Sequence, residues 1–321
     1  MNNNQQCVMK KVLVLICVFI SINAFAQQDI QVTHNMFNRY MVNPAFAGSE
    51  DKMTATLLYR NQWVGFDGAP TSQNFNFTAP SYKLAGGVGI NVISDQIGDG
   101  FSHQTASVSY AFQARLSKQS SLGIGLSVGV TNIGFDYDVW LAPDGGGGQN
   151  DPSIPDADAS ASIPDIGFGL YFTKKTFYLG VSATRLFEFT AEFPGGDAAS
   201  YTPIRHIYLS SGFDYELNSL LTLQPSVFVK TDDTQAQFDF AANLRYDDVV
   251  WGGLAYRVDD AVSFLAGYQI SDDFMLGYSY DLTTSDLRTE QSGSHELILK
   301  YSFNVSAPSK RNTRYRNIRF L

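Results

Sequence analysis

Charge is scarce in this chain: 17% of its 321 residues are Asp, Glu, Lys or Arg, against about 25% in ordinary soluble domains. With 24 Phe and 17 Tyr beside so little charge, neither a disordered segment nor a coiled coil fits. Positive charge is the scarcer sign, 22 Lys and Arg against 31 Asp and Glu for a net charge of -9. The basic footprint that nucleic acid requires is therefore missing. Both cysteines, Cys7 and Cys17, fall in the first 26 residues, so the rest of the chain has no disulfide. The four histidines, His34, His103, His206 and His295, are scattered without H-x-x-x-H spacing. No later run reaches the roughly 18 consecutive apolar residues of a membrane helix, and no 3.6-residue stripe persists.

What the chain does have begins with a secretory signal. Lys10 and Lys11 precede an apolar run from Val12 to Ile22, and Ala24-Phe25-Ala26 supplies an A-x-A site. The run is too short to span a bilayer. Cleavage after Ala26 is predicted to remove residues 1–26 as a signal peptide, taking both cysteines with it.

Beyond the signal the dominant pattern has period two. From Gln237 to Tyr246, Phe238, Phe240, Leu244 and Tyr246 alternate with Gln237, Asp239, Asn243 and Arg245. From Leu122 to Thr131 the second face is Gly123, Gly125, Ser127, Gly129 and Thr131. Fourteen such segments follow one another: Met53 to Gln62, Gln73 to Ala79, Leu84 to Ile93, Gln104 to Ala114, Leu122 to Gly134, Ile166 to Thr173, Phe177 to Phe187, His206 to Tyr215, Leu221 to Lys230, Gln237 to Tyr246, Val249 to Arg257, Val262 to Ile270, Phe274 to Asp281 and His295 to Phe303. A strand of about ten residues suits a tilted bilayer crossing, and single-chain barrels favour even counts.

Link lengths alternate as well. Ser117 to Ser121, Thr173 to Thr176, Glu216 to Leu220, Asp247 to Asp248 and Ser271 to Asp273 are short, while Phe135 to Asp165, Glu188 to Arg205 and Leu282 to Ser294 are long. The fold expected is all-β, a transmembrane antiparallel outer-membrane β-barrel of about 14 strands over 53–303, with short turns in the periplasm and long loops outside. Residues 27–52 form a periplasmic N-terminal segment that enters the lumen or caps it. Residues 304–321 form a basic periplasmic tail with Lys310, Arg311, Arg314, Arg316 and Arg319 and no acid. Girdle aromatics are expected at Tyr59, Trp63, Tyr82, Tyr137, Trp140, Tyr215, Trp251 and Tyr301.

Motifs that suggest chemistry do not gather into a site. Gly125-Leu126-Ser127-Val128-Gly129 matches G-x-S-x-G, but the motif needs a strand-to-helix turn and here lies inside an alternating strand. Gly145 to Gly148 has no Lys-Ser/Thr after it and reads as a hinge. Asp151, Asp156, Asp158 and Asp165 could offer oxygens to Ca²⁺, but the EF-hand offsets are absent and a solvated acidic loop is the simpler reading. His295 is read as a rim or lumen residue unless Glu296 faces lipid, since neighbours on a strand point to opposite faces. No catalytic residue, metal ligand or cofactor is predicted. The loop Trp63 to Thr71 stands apart, because Trp63 and Phe66 sit among Gly65, Gly68 and Pro70, flanked by Arg60 and Gln62. It either folds into the barrel mouth, with Arg60 facing the lumen and an acid, and binds a partner protein, or holds a girdle Trp on an ordinary turn.

Two stretches carry a resemblance. Tyr40-Met41-Val42-Asn43-Pro44-Ala45-Phe46-Ala47-Gly48, followed by Arg60-Asn61-Gln62-Trp63-Val64-Gly65-Phe66-Asp67-Gly68-Ala69-Pro70, resembles the opening of the PorP/SprF family of type IX secretion. Gly86 to Gly89, Asp95 to Gly98, His295 to Leu299 and the terminal Arg319-Phe320-Leu321 fit the same layout. The resemblance implies an outer-membrane barrel, embedded in outer-membrane lipid, that anchors or assists a secreted surface adhesin or other type IX cargo. It also implies a link to a periplasmic peptidoglycan-binding lipoprotein. Candidate partner-binding residues are Arg60, Gln62, Trp63, Gly65, Phe66, Gly68, Pro70, Asn43, Pro44, Arg314, Arg316, Arg319 and Phe320. A passive pore or transporter for small or hydrophobic molecules is the alternative, and a barrel enzyme ranks below both.

Overall fold

The computed structural model describes residues 29–136, 157–193, 200–232 and 234–304. Fourteen long strands make the wall: β1 (Lys52–Asn61), β2 (Thr71–Ser81), β3 (Gly86–Ile97), β4 (Phe101–Arg115), β5 (Ser120–Phe135), β6 (Ala159–Lys174), β7 (Phe177–Thr184), β8 (His206–Phe213), β9 (Leu221–Thr231), β10 (Ala236–Tyr246), β11 (Val250–Arg257), β12 (Ala261–Ser271), β13 (Phe274–Thr283) and β14 (Ser294–Asn304). Each pairs antiparallel with the next. β14 returns to β1 in unbroken register from Lys52↔Asn304 to Asn61↔His295. A closed ring has no edge, so the wall satisfies its own backbone as the bilayer interior demands.

Each of the fourteen period-two segments coincides with one strand. The largest shifts of boundary all lie at the outer ends of strands: β6 starts at Ala159 rather than Ile166, β3 runs on to Ile97 rather than Ile93, and β7 ends at Thr184 rather than Phe187. β7 stops because Arg185 takes a left-handed conformation, φ 50°, and turns its side chain inward. Asp165, expected in an acidic outer loop, therefore lies in β6, buried and facing the lumen. Asp151, Asp156, Gly145 to Gly148, Tyr137, Trp140, the signal peptide and the tail beyond Asn304 lie outside the described residues.

The decisive observation is which face is dry. In β5 the apolar positions Ile124, Leu126, Val128 and Val130 are the exposed ones, while Gly123, Gly125 and Thr131 are buried. β10 repeats this, with Phe238 and Phe240 outside and Asp239 and Asn243 inside. A soluble sandwich buries its apolar face; this wall presents it to the surroundings and keeps its polar face within, the arrangement lipid requires.

Loop lengths set the orientation. The turns at 82–85, 116–119, 175–176, 214–220, 247–249 and 272–273 are all short and define the periplasmic end. At the other end 62–70, 136–158, 185–205 and 284–293 are long, although 98–100, 232–235 and 258–260 are short, so the expected sorting by length holds fully on the periplasmic side alone.

The lumen is filled by the protein's own N-terminal segment. Of the two places expected for this segment, entering the lumen or capping it, it takes the first: Ile30, Val32, His34, Met36, Tyr40, Met41, Ala45, Phe46 and Ala47 are all buried. Asp29 sits at the outer mouth beside Gln62 and Trp63. The chain then descends to the periplasmic end, where Gln113 Nε2 donates to the carbonyls of Ala45 (3.0 Å) and Ala47 (2.8 Å) and Lys300 pairs with Glu50 at 3.1 Å. Small inward residues make the room. A Cβ at Gly125 would collide with the backbone of Ala45, and one at Gly87 with that of Gly48.

Gly125→Val should therefore leave barrel folding intact, read as heat-modifiable migration in gels, and unseat this plug, raising conductance in planar bilayers above that of the parent protein. An unchanged baseline would show that the plug does not depend on that close approach.

Candidate functional site

The plug is fastened in its upper half by a buried ionic network drawn from five strands. Glu296 on β14 accepts the backbone N–H of Thr33 (2.9 Å) and of His34 (2.7 Å), and its Oε1 lies 2.7 Å from His34 Nδ1. Asp281 on β13 accepts the Thr33 hydroxyl. Arg60 on β1 joins the two acids, with Nη2 2.7 Å from Asp281 Oδ2 and Nη1 3.1 Å from Glu296 Oε2. Arg257 on β11 reaches Asp281 (3.4 Å), Asp239 on β10 (3.3 Å) and Asp260 (3.2 Å). Arg60, Asp281 and Glu296 are each 1% exposed. Burying this many charges is costly unless they pair, so the network's contribution lies in fixing one seat for Thr33 and His34.

Below it the fastening changes from charge to amides. Asn38 donates to Asn74 (2.9 Å) and accepts from Asn76 (2.6 Å), Asn74 donates to Asn91 (2.7 Å), and Asn91 donates to the Met41 carbonyl (3.0 Å). Asn43 accepts the Ala45 N–H (2.9 Å) and donates to the Leu170 carbonyl (3.1 Å), with Pro44 starting the short 3₁₀ turn that follows. Arg39 donates to Tyr171 (3.0 Å) and stacks 3.7 Å over the Tyr178 ring. Above the ionic network, Arg185 pairs with Asp29 at 3.3 Å, and Lys230 reaches the Asp29 carbonyl (3.1 Å) and Gln31 (2.7 Å).

At the outer mouth the loop after β1 is pinned to the loop before β14. Trp63 N–H donates to Ser294 Oγ (3.1 Å), Val64 N–H to the Gly293 carbonyl (2.8 Å), and Ser292 N–H back to Val64 (2.7 Å). Gly65 and Gly68 turn the chain with φ 91° and 78°, and Gln62 N–H closes the loop on the Pro70 carbonyl at 3.0 Å. Trp63 itself holds φ 48°, a strained conformation for a bulky residue. Its indole borders a cavity of about 550 Å³ together with Gln62, Pro70, Asp29, Asp95 and Asp259, and Phe66 packs edge-on to it.

The sequence-predicted site residues thus divide. Gln62, Trp63, Gly65, Phe66, Gly68 and Pro70 form one outer loop. Arg60, Asn43 and Pro44 are buried and face the protein's own chain. Arg314, Arg316, Arg319 and Phe320 lie outside the described residues. Trp251 is not a girdle residue: it is 4% exposed and packs on Phe37 at 4.3 Å within the lumen. Of the two places expected for His295, the lumen is excluded because Glu296 takes the inward position; His295 stands at the outer rim, paired with Asn61 at the end of β1 and pointing outward between Tyr278 and Tyr280. Ser127 stays within β5, as its alternating context predicts. Glu296, Asp281, Asp239, Arg257 and Thr33 went unrecognised, although each acid and Arg257 stands on the polar face of a period-two strand.

Arg60→Met would leave Asp281 and Glu296 short of their shared cation, at a cost of about 3–5 kcal/mol for a broken buried pair. The expected result is a lower unfolding midpoint together with new protease cleavage between residues 29 and 47. Cleavage no faster than in the parent would mean that the network does not hold the plug.

The family model for the type IX secretion system membrane protein PorP/SprF matches residues 24–301. No curated protein matches the chain in sequence. Among solved structures, a Pseudomonas aeruginosa FadL homologue is similar at 13% identity and TM-score 0.48, covering 82% of this chain and 92% of that one. The CymD monoaromatic hydrocarbon channel is similar at 10% identity and TM-score 0.47 (83% and 92% covered), and the Ralstonia pickettii toluene transporter TbuX at 11% and 0.47 (82% and 92%). With the closed lipid-facing wall and a match over most of its length, this chain belongs to the PorP/SprF family of type IX secretion system membrane proteins and is an outer-membrane β-barrel.

Proposed function

We propose that this barrel works as a sealed docking component of type IX secretion, anchoring or assisting the surface localisation of adhesin-type cargo at its outer rim and contacting a periplasmic peptidoglycan-binding lipoprotein below. The observation that carries this reading is the filled lumen. With residues 30–47 packed inside and tied to Glu296, Asp281 and the Asn38–Asn91 ladder, the binding surfaces left are the two rims. In this reading Gln62, Trp63, Gly65, Phe66, Gly68 and Pro70 form the outer contact. Arg314, Arg316, Arg319 and Phe320 supply a basic contact on the periplasmic side. The same filled lumen disfavours a diffusion pore, and no grouping of nucleophile and base among the described residues supports an enzyme.

Affinity purification of the tagged protein from outer membranes in mild detergent, followed by mass spectrometry, tests the proposal. A large surface protein and a periplasmic lipoprotein should come with it in near-stoichiometric amounts; a lone barrel would overturn the docking role. Trp63→Ala combined with Phe66→Ala should reduce cargo retention at the cell surface without lowering the amount of inserted barrel. Normal retention would remove the loop from the contact.

A further inference from the structure

The outer connections of this protein hold few cations. Among the described residues, its seven connections, 62–70, 98–100, 136–158, 185–205, 232–235, 258–260 and 284–293, carry eleven Asp and Glu against three arginines, Arg185, Arg205 and Arg288. Arg185 is buried on Asp29 and does not offset the rim. A field of this sign draws cations toward the mouth, and the mouth holds a cavity of about 550 Å³, within the range of ligand sites, about 300–1,000 Å³.

The carboxylates of this cavity differ in what they already hold. Asp29 and Asp260 are paired with Arg185 and Arg257. Asp95 is 7% exposed and accepts one hydrogen bond, from Ser72 at 2.5 Å, with no cation at ion-pair distance among the described residues. Asp259 is exposed at φ 58° and likewise unpaired among them. A carboxylate so deeply buried without an ion-pair partner is costly, and Asp95 borders the cavity into which a cation could enter. The remaining wall includes the Trp63 indole, Ile30, Ile97 and Val258, an apolar and aromatic lining that suits an aliphatic stem and offers a π face to its cationic head. A metal ion would want three or more converging carboxylate or imidazole ligands, and no such group occurs among the described residues.

We propose that this cavity is a receptor for an arginine or lysine side chain on an extended segment of an exported polypeptide, with Asp95 and Asp259 as countercharges and Trp63 as the stacking wall. The polypeptide source rests on the docking role proposed above; the cavity and its cation preference do not.

The test is titration calorimetry of the purified full-length barrel with an end-blocked Gly-Ser peptide bearing two arginines, and with its glutamine counterpart. The arginine peptide should bind saturably, and the glutamine peptide roughly tenfold more weakly or not at all. Asp95→Asn, which keeps an acceptor for Ser72, and Trp63→Ala should each weaken the arginine peptide roughly tenfold, while Asp286→Asn, on the rim away from the cavity, should not. Heat-modifiable migration checks that each variant is folded. Equal binding of both peptides, or full binding by Asp95→Asn, would overturn the proposal in favour of a diffuse acidic rim. Calcium chloride that binds the parent but not Asp95→Asn and displaces the peptide would overturn it in favour of a metal site. Peptide binding needs no secretion apparatus, so its failure would leave the docking role standing, and failed co-purification would leave the cavity standing.

Discussion

Fourteen strands enclose more space than inward-facing Gly, Ser and Asn can fill, and any chain placed in that space brings peptide groups that must find partners away from bulk water. The rest of the structure follows from how this is met. Between Thr33 and His34 two consecutive backbone N–H groups end on a single carboxylate, Glu296, which Arg60 in turn neutralises together with Asp281. The plug therefore has no secondary structure beyond two short 3₁₀ turns, at Arg39–Met41 and Pro44–Phe46, because the wall supplies the partners that a helix or sheet would otherwise provide.

The same arrangement explains why charge is rare but not random. Lipid occupies the outside of the wall, so charged side chains in the strands concentrate inside. Apolar plug residues pack on the few apolar inward positions, as Ile30, Val32 and Met41 do on Leu58, Met275 and Ile298, and Met36 does on Trp251, Ala255 and Leu265. Packing fills the volume, and hydrogen bonds and ion pairs choose the register, since a slide of the plug by one residue would move Thr33 off both Glu296 and Asp281.

A filled lumen moves the functional question to the rims. The outer rim is acidic and carries a pinned aromatic loop, held to the β13–β14 connection by three backbone donors rather than left to solvent. Family membership connects such a barrel to type IX secretion.

The strands were legible in the sequence because side chains alternate strictly between the two faces of a strand: Phe238, Phe240 and Leu244 against Asp239 and Asn243 can be sorted without coordinates. The short periplasmic turns carried part of the topology, and the quoted motifs carried the family. Which face was dry could not be read from alternation alone, since a sandwich and a barrel share the pattern; the exposure of Leu126 and Val130 decided it. Trp251 shows the limit for single residues, as residue type put it at the membrane interface where the pleat turns it into the lumen. Arg60, Asp239, Arg257, Asp281 and Glu296 lie as much as 236 positions apart, and sequence put each on a polar face without saying that they meet. Closure of β14 onto β1 and the descent of Thr33 and His34 through the lumen brought them together. Alternation is a local property of one strand and is written in the sequence; strand register and the path of the plug arise from long-range pairing, and only the tertiary structure decides them.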